Sequence, residues 1–441
     1  MKNFLPGTGR KVLGAGGIVP ALPRRYFVVK SRIEMWKRTV GLYRDAYSGL
    51  PRGAWVLALA EFINRCGFMV LVFLNIYLTR HLGLSLLQAG RILSAFGLGS
   101  IVGGYLGGQL CDRIGIRKVQ IWSLTLSGLL LVGTGYLSSY VPLLLSLFLY
   151  GIISTAIFPA NDTAMSRFCS GEMRSKGFAL RRLASNLGIT FGPVIGGFLI
   201  LLDYRWLFWV DGLTTLASTV VIAVLLKAVP TGMDAGSNDQ PQGSRSPWRD
   251  GPFLAFMGLF LVLMLVFSQF FSTFNLYLNT EYGLRENRIG TIWAVNTILI
   301  VLIEMVLIHA LRRRSEMKVI ALGAALIGIG YGLLPFGRGF GYAAFTVVVW
   351  TMGEILTMPL TATVTASRAG ASAGRYMGVL SLTFSLAWFI APFSGNWLYA
   401  KIGGDALWTL VGGVGLLTAA GIWALRGALA VPKPPRGGAG R

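Results

Sequence analysis

Charge is what this sequence has least of. Only 13% of its 441 residues are Asp, Glu, Lys or Arg, about half the share of an ordinary soluble domain. With 54% hydrophobic residues and a mean hydropathy of +0.64, a water-soluble fold would need a core too large for its surface. Cysteine is scarce as well. Cys66, Cys111 and Cys169 show neither a metal-ligand spacing nor a disulfide framework. The two histidines, His81 and His309, are too few and too far apart for a metal centre. No nucleophile–base set and no cofactor loop is present, which excludes an enzyme and leaves no cofactor to expect. The basic N-terminus lacks a compact apolar stretch with a small-residue cleavage site, so no cleavable signal peptide is expected.

Acidic residues are also few: 17 against 40 Lys and Arg, a net charge of +23. In a soluble protein that excess would suggest nucleic acid, but its distribution excludes such a partner. Thirty-two of the basic residues lie in the termini and alternate loops, and 6 in the intervening loops. That alternation is the positive-inside pattern of a multi-pass membrane protein with both termini cytoplasmic.

What is abundant is long apolar sequence. A span needs about 20 apolar residues, and twelve are expected, at roughly 53–78, 88–110, 118–138, 141–163, 177–202, 206–227, 252–279, 288–311, 317–335, 341–365, 374–398 and 405–426. The polar, Gly-, Pro- and Ser-rich stretch 228–251 reads as a cytoplasmic linker. It separates residues 53–227 from residues 252–426, two stretches of equal length, as in transporters built from repeats. Pro193-Val-Ile-Gly196 is echoed by Pro392-Phe-Ser-Gly395. Residues 1–52 form a basic segment, with an amphipathic stretch at 24–49 suited to the inner leaflet. Residues 427–441 read as a disordered tail. The expected fold is thus an all-α integral membrane bundle of twelve helices in two pseudo-symmetric six-helix halves, monomeric and surrounded by lipid.

Between the second and third expected spans stands Gly108-Gln-Leu-Cys-Asp112-Arg113-Ile-Gly115-Ile-Arg117-Lys118. Gly115 permits a sharp reversal, and the basic residues suit an anionic interface. The stretch resembles the signature loop of the major facilitator superfamily. The resemblance implies a latch between two six-helix halves, in which Asp112 and Arg113 stabilise the outward-facing state. The second-half counterpart at 309–318 keeps the basic charge but lacks the Gly-Asp pattern.

In the fifth span Gly188, Gly192 and Gly196 recur every four residues, one face for close helix approach, and Pro193 removes a helix hydrogen bond. With Gly197 they resemble the antiporter motif of the same superfamily, which implies an exporter exchanging substrate for protons. The fourth span lacks the arginine that many drug–proton antiporters carry.

The few charges inside the spans are the candidate machinery, because a charge in a bilayer normally faces a cavity or a partner. Glu61 and Arg65 are four apart and share a helix face. With Asn64 they faintly resemble the Glu-x-x-Glu-Arg motif of proton-coupled peptide transporters, Asn64 replacing the second glutamate. Glu304 is expected to reach toward Arg312 or to carry a proton. Glu354 has no local cation; it either meets Arg65 across the halves or stays protonated. Glu61, Glu354 and Glu304 are therefore the proton-coupling candidates. Arg65, Asn64, Asn296, Gln269 and Trp350 are the substrate-binding candidates. Phe270, Phe271, Phe274 and Tyr277 form a stripe that core packing explains as well as a cavity does. Asp211 and Arg91 are placed at the outer interface and Asp162 at a span end.

The expected function is secondary active transport by alternating access, with protons as the coupling ion and a small solute as cargo. The first expectation is export of a small amphipathic or drug-like compound. The alternative is a proton-coupled importer of a peptide, amino acid or organic anion, and from another class a non-transporting receptor or scaffold.

Overall fold

In the first span the helix stops at a glycine. In the computed structural model, α1 (Arg52–Cys66) ends against Gly67, and a short helix, α2 (Val70–Ile76), continues into a π-helical turn at Tyr77–His81. The structure describes residues 48–170, 172–226, 246–311, 314–369 and 372–429, and the described residues from Pro51 onward form one compact unit. The stretch 24–47, nearly all of the linker and the tail from residue 430 lie outside the described residues.

The order continues with α3 (Leu86–Ile114), α4 (Ile116–Thr134), α5 (Tyr140–Thr155), α6 (Ile157–Phe168), α7 (Glu172–Leu199) and α8 (Arg205–Leu225). After the linker come α9 (Gly251–Phe267), a 3-10 turn at Ser268–Phe271, α10 (Thr273–Thr280), α11 (Glu286–Leu311), α12 (Glu316–Gly332), α13 (Phe340–Ala369), α14 (Ala373–Ile402) and α15 (Gly404–Ala424). The chain is an all-α, many-span membrane bundle. Ten helical segments of the described residues are long and apolar enough to cross a membrane. The helices α4 and α7 are not among the ten. Arg117, Lys118 and Gln120 in α4, and Arg174, Lys176, Arg181 and Arg182 in α7, dilute their apolar length.

Local chemistry explains the turns. Ser85 caps α3 in a reciprocal pair with Gln88, each side chain bonding the other's backbone amide, which satisfies orphan donors at the helix start. A single residue, Gly115, joins α3 to α4 with φ +91°, a conformation only glycine adopts cheaply. The expected sharp reversal is present. The outer surface is apolar, with Leu202, Val224, Phe336 and Leu417 each more than 70% exposed. A bundle solvated by lipid leaves such side chains outside.

At the end of the linker, Asp250 caps α9 by accepting from the Phe253 amide at 3.2 Å. The Arg368 guanidinium grips it at 2.6 and 2.8 Å, and the Tyr376 hydroxyl donates at 3.1 Å. One carboxylate thus ties α9, α13 and α14 together, and the Arg368 hydrogen bonds hold its pKa below the usual carboxylate value. A lowered folded-state pKa adds stability that is full above about pH 4 and is lost as pH falls through the folded value. Asp250→Asn should therefore lower thermal stability at neutral pH by about 2 kcal/mol, in the range of hydrogen bonds to charged groups. The gap to the wild-type protein should close in strongly acidic buffer, as read by a thermal-shift series over pH.

Candidate functional site

The two helix breaks lie opposite one another. In the first, Gly67 sits so close to the α8 backbone that a Cβ would lie 3.0 Å from the Asp211 Cα. In the second, the 3-10 turn ends at Ser272, whose φ and ψ of −127° and −81° interrupt the helix. Just beyond each break stands a fully buried asparagine. Asn75 Nδ2 donates to the Ser272 carbonyl at 2.9 Å, and Asn275 Nδ2 donates to the Val72 carbonyl at 2.8 Å. Each asparagine thus finds a backbone acceptor on the other broken span. Asn75 also donates to Asn396 Oδ1 at 3.0 Å, and Trp293 Nε1 donates to Asn275 Oδ1 at 2.9 Å. The contacts knit the bundle at the face opposite its basic loops.

Small residues bring the helices together there. A Cβ on Gly290 would meet the Pro193 carbonyl, and one on Gly90 would lie 3.1 Å from the Pro392 carbonyl. The echoed Pro-x-x-Gly stretches thus occupy matching positions, each receiving a glycine from a helix across the bundle. Gly188, Gly192 and Gly196 all face the first span: their added Cβ atoms would lie 2.5 Å from Arg65 Cβ, 3.1 Å from the Arg65 carbonyl and 2.7 Å from Met69 Cβ. Gly197 instead approaches Glu286 and Asn287. The glycine face of α7 therefore seats the turn that carries Arg65.

Below the knitted face lies a cavity of about 510 Å³. Asn64, Arg65, Asp211, Asn296 and Glu354 contribute its polar wall, and Phe68, Phe158, Phe271, Trp293 and Trp388 much of its apolar wall. Arg65 Nε pairs with Glu61 at 2.8 Å, and its guanidinium lies 5.3 Å from the Phe158 ring centre and 5.8 Å from that of Phe68. Glu61 accepts a second bond from Asn161 at 3.3 Å, and Gln120 orients Asn161 at 2.7 Å. Asn64 donates to Thr215 at 3.1 Å. Across the cavity, Asn296 Nδ2 donates to Glu354 at 2.9 Å and to Thr351 at 3.0 Å. Among the described residues Glu354 has no ion pair within 4 Å. It makes no ion pair with Arg65, which pairs with Glu61 instead.

Three candidates lie elsewhere. Glu304 is paired with Arg182 at 2.8 Å, a partner from the other side of the linker rather than Arg312, which lies outside the described residues. Gln269 is a staple: it donates to the Ala391 carbonyl at 3.1 Å, accepts from Thr273 at 2.8 Å and packs on Gly395. Trp350 is fully buried among Phe267, Phe270 and Tyr331, so it shapes the core behind the cavity. Phe270 and Phe271 reach the wall, while Phe274 and Tyr277 are core. Asp162 pairs with Arg181 at 2.5 Å, and Arg91 is exposed. In the signature loop Arg117 donates to the Ala223 carbonyl at 2.6 Å, tying the loop to the end of α8. Lys118, Asp112 and Arg113 are exposed, and among the described residues they make no ion pair.

The sequence position of Asp211 suggests the interface, but the structure buries the residue in the cavity wall. Its place inside an apolar helix, in Trp209-Val-Asp211-Gly212, is the available signal. Tyr150, Asn161 and Gln120 carry none beyond being polar in apolar sequence.

The family model of the Major Facilitator Superfamily matches residues 57–392. The chain belongs to that superfamily. As a superfamily member it is a multi-pass membrane protein and a secondary active transporter, and the family and fold are those of transporters rather than enzymes. Among its sequence relatives are "Uncharacterized MFS-type transporter YttB" of Bacillus subtilis (strain 168), 26% identical with 78% of this chain and 88% of the relative covered, and "Quinolone resistance protein NorA" of Staphylococcus aureus (strain MSSA476), 24% identical with 74% and 84% covered. A solved POT family transporter in complex with 5-aminolevulinic acid superposes with a TM-score of 0.73 at 17% identity, covering 87% of this chain and 98% of that one. A mutant of the nucleoside transporter NupG superposes at 0.72 with 13% identity, covering 84% and 99%. At such identities these two similarities establish the fold of this superfamily member.

The glycine contacts lead to a contrast. Gly188→Ala would drive a Cβ into Arg65 and the Phe62 carbonyl, 2.5 and 2.7 Å away, and overpacking of this kind costs about 1–3 kcal/mol. Gly258→Ala, in α9, meets nothing within 4 Å and should raise stability through helix propensity by up to about 1 kcal/mol. Melting temperatures of the two purified variants should move in opposite directions.

Proposed function

We propose that this transporter is a proton-coupled importer of a small solute bearing a carboxylate, of the peptide, amino-acid or organic-anion class. The observation that carries the proposal is that Arg65 and Glu354 line one cavity from the two sides of the linker, with an aromatic wall beside them. Arg65 anchors the solute's carboxylate in partial exchange for Glu61, and Glu61 accepts a proton when that exchange occurs. Glu354 takes a proton or a solute ammonium group, and Asn64 and Asn296 complete the polar wall. Glu304, paired with Arg182, acts in closing the halves rather than in carrying the solute.

In this proposal twelve spans form two six-helix halves, residues 53–227 and 252–426, which rock about the cavity. The basic loops and both termini are cytoplasmic, the carrier works as a monomer in a bacterial inner membrane, and residues 228–251 link the halves on the cytoplasmic side. The knitted face is then the outer face and the conformation is inward-facing. A signature loop whose Asp112 and Arg113 have no ion pair among the described residues is in keeping with a latch that engages in the opposite state.

A second proposal, proton-driven export of a drug-like amphipathic compound, draws on the Gly188–Gly197 motif and on relatives named for drug resistance. Transport in reconstituted vesicles separates the two. Uptake of carboxylate-bearing solutes should follow an inward proton gradient. Glu354→Gln should cut gradient-driven accumulation about tenfold, within the range of ordinary coupling energies, and Arg65→Ala should weaken binding of anionic but not cationic solutes. Transport indifferent to the gradient would overturn proton coupling. Extrusion of lipophilic cations, with no effect of Arg65→Ala on anion binding, would favour export.

A further inference from the structure

The cavity holds a carboxylate that the proposed cycle does not use. Asp211 is 5% exposed, lies on α8 and reaches the cavity wall. It has no ion pair within 4 Å among the described residues. Its contacts converge on the break in the first span. Asp211 Oδ2 accepts from the Val70 amide at 3.2 Å. That amide opens α2 and has no helical carbonyl to bond, since the break leaves the first amides of a new helix without partners. Gly67 is pressed against the same turn of α8: a Cβ there would lie 3.0 Å from both the Cα and Oδ1 of Asp211. The Asp211 carboxylate therefore fills the gap that the break opens in the backbone ladder.

Two residues before the break stands Arg65. Its charge acts on Asp211 from α1, and Tyr150 of α5 lines the same cavity and is within electrostatic reach of Asp211. From α4 the neighbouring wall is Leu124 and Ser127, with Gly128 against the Gly212 carbonyl, none of them titratable. An ionised Asp211 bonds the Val70 amide in a charge-assisted way, about twice as strong as a neutral bond. A protonated Asp211 holds that amide less firmly and removes one negative charge from the surroundings of Arg65.

We propose that Asp211 is a proton-accepting site of the transport cycle, whose charge sets how firmly α8 holds the break beside Arg65. Protonation loosens the break, and the turn bearing Arg65 then moves relative to α8. This inference rests on the proton-coupled function above and adds a positioning residue to it, one that acts on the solute anchor through the backbone.

Asp211→Asn is the informative variant, because an amide oxygen still accepts from Val70 while the side chain no longer takes a proton. In vesicles, solute counterflow needs no proton gradient, so Asp211→Asn should retain it, with a flat pH profile where the wild-type profile changes. Its gradient-driven accumulation should fall about tenfold, and Asp211→Glu should restore part of it. Infrared difference spectra of the purified full chain supply a readout independent of transport. Acidification should produce a protonated-carboxyl band in the wild-type protein that Asp211→Asn lacks. An unchanged band, or wild-type accumulation and pH profile in Asp211→Asn, would overturn this inference alone. Loss of counterflow in both folded variants would also overturn it, by showing a purely structural role. A wild-type carrier indifferent to the gradient would instead overturn the function on which it rests.

Discussion

Two side-chain amides at the crossing of the broken helices hold the bundle in this conformation. Asn75 and Asn275 each donate to a carbonyl beside the other's break. A buried asparagine in a dry interior needs acceptors, and each of these finds one on the other span. Because each amide donates to the other helix, neither asparagine keeps all its partners if the two spans part. The seating of α7 on the first span and the approach of Gly90 and Gly290 to facing prolines add close backbone packing to that crossing. Opening that face requires both amides to find new partners at the same time.

The charges that remain inside the bundle are handled in different ways. Glu61 and Arg65 neutralise each other at 2.8 Å, and Asn161 and the rings of Phe68 and Phe158 complete their surroundings. A buried pair retains a large desolvation cost, so supplementary hydrogen bonds matter to whether it persists. Arg182 and Glu304 reach across from opposite sides of the linker. Glu354 and Asp211 have amide partners instead of cations, and both border the cavity. The ionisable groups thus divide into those held by opposite charge and those held by neutral donors. A proton that arrives at the second kind has no ion pair to break.

Much of this is legible in sequence because membrane spans obey a strong rule: apolar length and basic loops report crossing and order. Gly188, Gly192 and Gly196 are legible as one packing face because their four-residue spacing fixes their direction. Helix rotation is not legible. Gln269 and Trp350 are a polar and an aromatic residue in apolar helices, and nothing in their spacing distinguishes a cavity wall from the core behind it. Asp211 is a related case: its position near the start of α8 suggests the interface, whereas its turn of α8 packs on the break at Gly67 and borders the cavity. That break is itself hidden, because Asn64-Arg-Cys-Gly67-Phe continues an apolar run without a proline. The partner of Glu304 is unreadable because Arg182 is remote in sequence and meets it only when α7 packs on α11.

The location of the asparagine crossing has a mechanical consequence. A helix of twenty residues is about 30 Å long, and roughly that length of the first span separates Val72 from its start at Arg52. With the crossing as pivot, a rotation of about 10° would displace the far helix end by roughly 5 Å, the rise of one helical turn. So long as the asparagine crossing stays closed, a small rotation there is magnified along the span into a displacement of molecular size at the basic-loop end.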